Sequence, residues 1–288
     1  MDDDIRSLFP KTHVSRRGFV AATTVGAGFA LAAQPISAQT VITTDASGLM
    51  AGDAQIPTPN GSIYGYFAMP GTGGPFPVVV VIQEVFGVHE HIKDVARRFA
   101  KAGYLAVAPD LHGRQGDTTK APDIQAILAI VSKVPDAQVY ADLDSAVAWA
   151  KASGKGDTAR LGVTGFCWGG RMTWMYAAHN PSVRGAVAWY GPVVRPATEL
   201  QPKNPIDIVE DLKIPVLGLY GGADQGIPND TVDKMRAALR GAGNPSTIIT
   251  YPDTPHGFHA DFRPTYRADK AKEGWDRMMA YFKDRGVA

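Results

Sequence analysis

Cys167 is the only cysteine among 288 residues, and it stands in Gly165-Phe166-Cys167-Trp168-Gly169, a G-x-C-x-G frame. That frame suits a nucleophile held on a sharp strand-to-helix turn, where glycines flank the reactive residue because its backbone is strained and the strand and helix meet closely. The flanks fit, since Arg160 to Thr164 reads as a short apolar strand and Arg171 to His179 continues in helix-compatible residues with Met172, Met175 and Tyr176 on one side. The chemistry on offer is nucleophilic attack by sulfur, which needs a base, because a free thiol is only slightly ionised at neutral pH. A lone cysteine can also be a small, inert core residue. One cysteine excludes an internal disulfide, and the lack of a C-x-x-C pair excludes dithiol exchange and a cysteine-rich zinc site.

A base and an acid follow downstream. After the strand-like run Val216 to Tyr220 comes Gly221-Gly222-Ala223-Asp224, a carboxylate on a glycine turn. After Thr247 to Tyr251 comes Pro252-Asp253-Thr254-Pro255-His256-Gly257-Phe258. Nucleophile, acid and histidine thus occur in the order Cys167, Asp224, His256, the chain order of triads built on an open α/β sheet. In such a set the imidazole takes the thiol proton and the carboxylate fixes the imidazole tautomer. His259 competes with His256. Pro255 and Gly257 frame His256 as a rigid loop residue, whereas His259 reads as a surface or pocket-rim residue. A further carboxylate, Glu84, ends the apolar run Val78 to Gln83 in Gln83-Glu84-Val85-Phe86-Gly87; it is either structural or perturbed by neighbouring ionisable groups at the site. The backbone N–H groups of Val85 and Trp168 are candidates for a two-donor oxyanion hole.

These residues need a scaffold that brings loop ends together, and the pattern supplies one. Ser62 to Met69 reads as an amphipathic strand and Pro77 to Gln83 as a buried one. Ile92, Val95, Ala96, Phe99 and Ala100 fall on one helical face, which Gly103 ends. Then follow strand Tyr104 to Ala108, helices Asp123 to Val134 and Ala141 to Ala152, strand Arg160 to Thr164, the helix after Cys167, and strands Gly185 to Trp189 and Val216 to Tyr220. Helix Asn229 to Arg240, strand Thr247 to Tyr251 and a last helix containing Trp275, Met278, Met279 and Phe282 complete the chain. Buried strands alternating with amphipathic helices predict an α/β fold, a mainly parallel sheet covered on both faces. Its site is expected at the carboxyl ends of the strands, where Glu84, Cys167, Asp224 and His256 all fall.

The N-terminus suggests where the thiol works. Ser15-Arg16-Arg17-Gly18-Phe19-Val20 is a twin-arginine pattern, followed by an uncharged Ala/Gly-rich run from Val20 to Ala33 and the small-residue cleavage site Ile36-Ser37-Ala38. Residues 1–38 therefore read as an export signal handled by the twin-arginine machinery, removed to give a periplasmic protein. A retained membrane anchor is the alternative, although the run is shorter than the ~20 apolar residues that span a bilayer. Residues 39–59 read as a polar, Pro-punctuated surface segment and 60–288 as one domain. Lys+Arg 29 against Asp+Glu 28 gives no basic excess for nucleic acid, and no second apolar span points to a membrane.

Taken together, Gln83-Glu84-Val85-Phe86-Gly87, Ala108-Pro109-Asp110-Leu111, Gly165-Phe166-Cys167-Trp168-Gly169-Gly170, Gly221-Gly222-Ala223-Asp224 and Pro255-His256-Gly257-Phe258 resemble the dienelactone hydrolase (carboxymethylenebutenolidase) family. The resemblance covers nearly all of the chain after about Ile56. It implies an α/β-hydrolase domain with a Cys167–His256–Asp224 triad that opens lactone or ester bonds of a small-molecule substrate through a thioester, with no metal or organic cofactor. It also implies that Glu84 associates with the resting cysteine until substrate binds. Family members that act on dienelactone hold its carboxylate with two arginines. Asp110-Leu111-His112-Gly113-Arg114-Gln115 matches the context of one and gives Arg114 as a substrate-binding candidate. The position expected for the second, four residues after His256, is Ala260, and the nearest arginine is Arg263.

Other classes of function remain in view. An exported thiol-based redox or peroxide-reactive protein on the same fold would use Cys167 without acyl transfer and would not need His256 and Asp224. A metal-binding protein could draw on His89, His91 and His112, a weak pattern without a carboxylate spacing to match. A silent binding module would be signalled by loss of a triad residue, and none is lost.

Overall fold

The computed structural model describes residues 42–288, so the export signal read in residues 1–38 lies outside the described part of the chain. One sheet of eight strands organises it, in the order β1-β2-β4-β3-β5-β6-β7-β8. The strands are β1 (Leu49–Thr58), β2 (Gly61–Pro70), β3 (Phe76–Ile82), β4 (Leu105–Pro109), β5 (Gly156–Phe166), β6 (Val183–Trp189), β7 (Val216–Gly221) and β8 (Thr247–Tyr251). The first two form an antiparallel hairpin laid antiparallel on β4, and every pairing from β4 through β8 is parallel. The helices are α1 (Glu90–Lys101), α2 (Ile124–Val131), α3 (Asp136–Ala152), α4 (Trp168–His179), α5 (Asn229–Gly241) and α6 (Ala268–Asp284).

The sheet is covered on both faces, and β3 shows why the sequence demands it. Val78, Val79, Val80, Val81 and Ile82 are all fully buried. Side chains alternate between faces along a strand, so a continuous apolar run is stable only with helices on either side. On α1 the face predicted from the spacing, Ile92, Val95, Ala96, Phe99 and Ala100, is the buried one. Asp123 caps α2 by accepting from the Ala126 amide at 2.8 Å, which fixes the start of that helix. The predicted helix from Ala141 begins earlier, at Asp136 directly after Pro135. No helix among the described residues is long and apolar enough to cross a membrane.

One expectation is corrected. Residues 39–59, read as a surface segment, contain β1, which pairs residue by residue with β2 from Leu49 opposite Pro70 to Thr58 opposite Gly61. Only Ala54 and Ile56 turn inward and are buried, so the amphipathic signal rests on two residues. Pro57 is tolerated because β1 is an edge strand, where a missing N–H breaks no inner ladder.

Strand order reverses between β3 and β5, since β4 lies on one side of β3 and the chain returns to the other. Such a switch point opens a crevice at the carboxyl ends of the two strands. Glu84 follows β3 and Cys167 follows β5 on opposite sides of it, and Asp224 and His256 lie on the loops after β7 and β8.

Candidate active site

Cys167 is the single residue between β5 and α4, with φ 55° and ψ −119°. A positive φ is unfavourable for a side-chain-bearing residue and persists only where the surroundings over-determine it. Here the Cys167 amide donates to the Trp189 carbonyl at 3.0 Å, and its carbonyl accepts from Gly170 and Arg171 at 2.9 and 3.2 Å. Gly169 completes the constraint, because a Cβ there would lie 2.5 Å from the carbonyl oxygens of Ile82 and Gln83. The first turn of α4 can therefore rest directly on the end of β3. Trp168, at the first helical position, has a backbone N–H with no acceptor within its own helix.

Asp224 is held on its turn by the amides of Gly226 and Ile227, which donate to Oδ1 at 3.0 and 3.1 Å. Its other oxygen, Oδ2, lies 2.7 Å from His256 Nδ1. This pairing puts a proton on Nδ1 and leaves Nε2 as the atom that exchanges protons. Nε2 is buried and bonded to no other group, and the Cys167 sulfur is among the groups that act on the ring. Burial alone would disfavour the imidazolium, but the Asp224 carboxylate and the Cys167 sulfur outweigh it and push His256 up to about 10. The loops that carry the pair are joined by backbone bonds, Gly222 to the Tyr251 carbonyl at 2.7 Å and Ala223 to the Thr254 carbonyl at 2.9 Å.

Glu84 is fully buried, which by itself would raise its pKa. Arg263 Nη2 at 3.2 Å and His89 Nε2 at 3.7 Å reverse that and hold the carboxyl at about 2, ionised at any ordinary pH. Arg263 is thus brought to the site, as a partner of Glu84. Its guanidinium lies over the Phe86 ring at 4.8 Å and the Phe262 ring at 5.6 Å. Behind His89, stacked at 6.1 Å, is His91, whose Nδ1 lies 2.9 Å from Asp261 Oδ1; Arg98 in turn donates to Asp261 Oδ2 at 3.1 Å.

Arg114 is placed differently from the expectation of an anion clamp. Its two terminal nitrogens donate to the two oxygens of Asp142 on α3 at 2.6 and 2.7 Å, and Nη2 also donates to Thr58 Oγ1 at 2.9 Å. The fork that suited a substrate carboxylate is filled by the protein's own. His259, expected at the surface or pocket rim, is instead buried, stacked on Phe166 at 4.9 Å and near Trp189 at 4.7 Å; burial drives it far below an ordinary histidine pKa, so it is neutral. The three histidines weighed as metal ligands separate: His89 and His91 stand behind Glu84, while His112 packs edge-to-face on Trp168 at 4.5 Å.

Tyr190 was missed in the sequence. It follows β6 with φ 37°, its ring meets His256 at 5.1 Å, and its buried hydroxyl has no hydrogen-bond partner. Burial pushes this phenol well above its ordinary value, with the charges of Glu84 and Cys167 acting in the same direction. Its position at a strand's carboxyl end was the available signal.

A doubly covered, mainly parallel sheet with Cys167 on a sharp strand-to-helix turn after β5, a carboxylate after β7 and a histidine after β8 defines the α/β-hydrolase class. The model of the dienelactone hydrolase family matches residues 63–286, and the chain belongs to that family of hydrolases acting on lactone and ester bonds. It is 59% identical over 288 residues to a Methylorubrum extorquens protein named "Putative carboxymethylenebutenolidase", covering 100% of this chain and 99% of the relative. An Escherichia coli K12 protein of the same name is 51% identical over 267 residues, 92% of this chain and 98% of the relative. A crystal structure from Klebsiella pneumoniae, described as a "Putative Dienelactone Hydrolase", superposes with a TM-score of 0.80 at 52% identity, covering 82% of this chain and 98% of that one.

Proposed function

We propose that the protein hydrolyses a small lactone or ester with Cys167 as nucleophile, through a thioester acyl-enzyme. The observation that carries this reading is the His256 imidazole, tied at Nδ1 to Asp224 and free at Nε2, in electrostatic contact with a cysteine held at φ 55°. A histidine that binds a proton so firmly can pair with a thiolate as imidazolium.

In the first half-reaction the thiolate attacks the acyl carbon and forms a C–S bond. The N–H groups of Val85 and Trp168 receive the developing oxyanion. Collapse of the tetrahedral intermediate breaks the C–O bond, and His256 Nε2–H protonates the leaving oxygen. In the second, His256 takes a proton from water as it attacks the thioester. The carboxylic acid leaves and the sulfur recovers its thiolate form beside His256.

Glu84 is a charge-controlling group in this scheme, since an ionised carboxylate near the nucleophile is balanced by Arg263. We also propose that residues 1–38 direct export by the twin-arginine route, on the strength of Arg16-Arg17 and the uncharged run after it. The functional test is hydrolysis of a panel of p-nitrophenyl esters and unsaturated lactones. Cys167→Ala is expected to abolish turnover above background. Undiminished turnover by that variant overturns the assignment.

A further inference from the structure

The loop after β8, residues 252–267, carries both His256 and Arg263, so one stretch of irregular backbone sets the place of two side chains of the site. Near His256 it is braced by the turn that holds Asp224. Beyond His256 the chain folds back on itself: Gly257 has φ 70°, and a Cβ there would lie 2.7 Å from Arg263 Nη1. Arg263 therefore packs on the backbone that directly follows His256, and a shift of the loop would carry both together.

Ring contacts bury this loop. His259 stacks on Phe166, and Phe262 meets His89 at 4.9 Å and His91 at 5.6 Å. Apolar burial is non-directional, so these contacts set the depth of the loop but not its exact placement. Direction comes from Asp261, which is buried and accepts from two side chains of α1: His91 Nδ1 at 2.9 Å on one oxygen and Arg98 Nη2 at 3.1 Å on the other. The carboxylate fixes the His91 proton on Nδ1. Burial alone would raise the Asp261 carboxyl, but His91 and Arg98 reverse that and hold it below its ordinary value. The anchor is itself held. Arg98 Nε donates to Asp94 at 2.7 Å, and the fully buried Asp94 also accepts from Arg97 at 3.2 Å and from the Thr44 amide at 2.6 Å. The His91 ring also meets Phe166, the residue before Cys167, at 6.3 Å.

We propose that Asp261 is a positioning residue: through His91 and Arg98 it latches the loop after β8 to α1, and so fixes where His256 and Arg263 stand relative to Cys167. The proposal rests on the thiolate–imidazolium pairing proposed for Cys167 and His256.

Its test compares wild type with Asp261→Ala and, from the other side of the latch, His91→Phe, which keeps a ring but no donor. On a neutral p-nitrophenyl ester each is expected to lower kcat by roughly 10- to 100-fold, the scale of a misplacement of about 1 Å, with KM changed by less than about threefold. A displaced imidazolium stabilises the thiolate less, so the pH profile of Cys167 alkylation by iodoacetamide is expected to move to higher pH in both. Asp261→Asn, whose amide oxygen still accepts from His91, is expected to recover part of both losses. A latch that only stabilised the fold would lower the unfolding midpoint and leave kcat and the alkylation profile at wild-type values; that result in either folded variant overturns the proposal. A shift to lower pH, which loss of a negative charge alone would give, overturns it as well. Mass spectra of protein quenched with a slow ester separate the latch from the reading beneath it. Wild type whose Cys167 is never acylated, with an alkylation profile that still moves in Asp261→Ala, removes the thioester and keeps the latch. Acylation of the variants at the wild-type rate removes the latch and keeps the thioester.

Discussion

Arg263 Nη2 lies 3.2 Å from Glu84 Oε1, and both side chains are buried. The pair brings the loop after β8 onto the end of β3, across the crevice that Cys167 borders. It neutralises a carboxylate that would otherwise oppose the thiolate proposed at Cys167. In this account the charge at the nucleophile is set by two pairs together, Asp224–His256 and Glu84–Arg263.

Glu84→Gln leaves a buried guanidinium without its counter-charge. The cost is expected to be about 3–5 kcal/mol in urea unfolding near pH 7. A carboxylate held at about 2 stabilises fully above its unfolded value of 4.5 and loses that contribution as pH falls toward 2. The stability gap between the two proteins is therefore expected to close over that acid range. The unbalanced cation is also expected to move the pH profile of Cys167 alkylation by iodoacetamide to lower pH. Superimposable profiles would remove Glu84 from control of the thiol.

Asp224→Asn keeps the shape of the pair but removes the charge that raises His256. A fall in kcat of roughly 100- to 10,000-fold is expected, the upper figure being the handicap known for a carboxylate-to-amide change in a serine-protease triad. The raised His256 stabilises the fold fully below about 6.5 and ceases to do so as pH rises through about 10. Unfolding measurements at pH 6 and pH 10 are expected to show the variant's deficit shrinking at the higher pH. A deficit that grows with pH would contradict the assigned sign.

Arg114→Ala tests whether this arginine ties the fold or clamps a substrate anion. Its two-point ion pair with Asp142 ties the loop after β4 to α3, and Asp142 is buried while Arg114 is partly exposed. A loss of about 1–3 kcal/mol in unfolding free energy is expected. Activities on neutral and carboxylate-bearing substrates should fall by a common factor, and a selective loss on the charged one would restore the clamp.

Gly169→Ala places a methyl 2.5 Å from the carbonyl oxygens of Ile82, the last residue of β3, and of Gln83 after it, with backbone on both sides of the clash. Destabilisation of about 1–3 kcal/mol or more is expected, because packed backbone cannot yield as a flexible side chain can. Activity is expected to fall further than stability, since the displaced turn carries both Cys167 and the Trp168 amide. A variant with wild-type kcat would show that the elbow is not held by this contact.

The parts legible in the sequence were those written in local patterns. The glycine frame announced the turn at Cys167, and the strand-end positions of Asp224 and His256 followed from the rule that such sheets gather loops at one edge. What escaped depended on distant partners. Asp142 lies 28 positions from Arg114, and nothing near Arg114 reveals that α3 delivers a carboxylate to it. His259 was misplaced because the loop after β8 turns inward, where Phe166, Trp189 and Trp275 enclose the ring. Strand β1 was lost because two inward residues are too few to show a period, and Tyr190 because one aromatic at a strand end has no frame to mark it.

The central claim is that Cys167 carries the acyl group. The direct measurement is mass spectrometry, with peptide mapping, of protein quenched during turnover of a slow ester. An acyl adduct on Cys167 that forms and decays at the rate of turnover is the result expected. Full turnover with Cys167 unmodified at every time point would contradict the account.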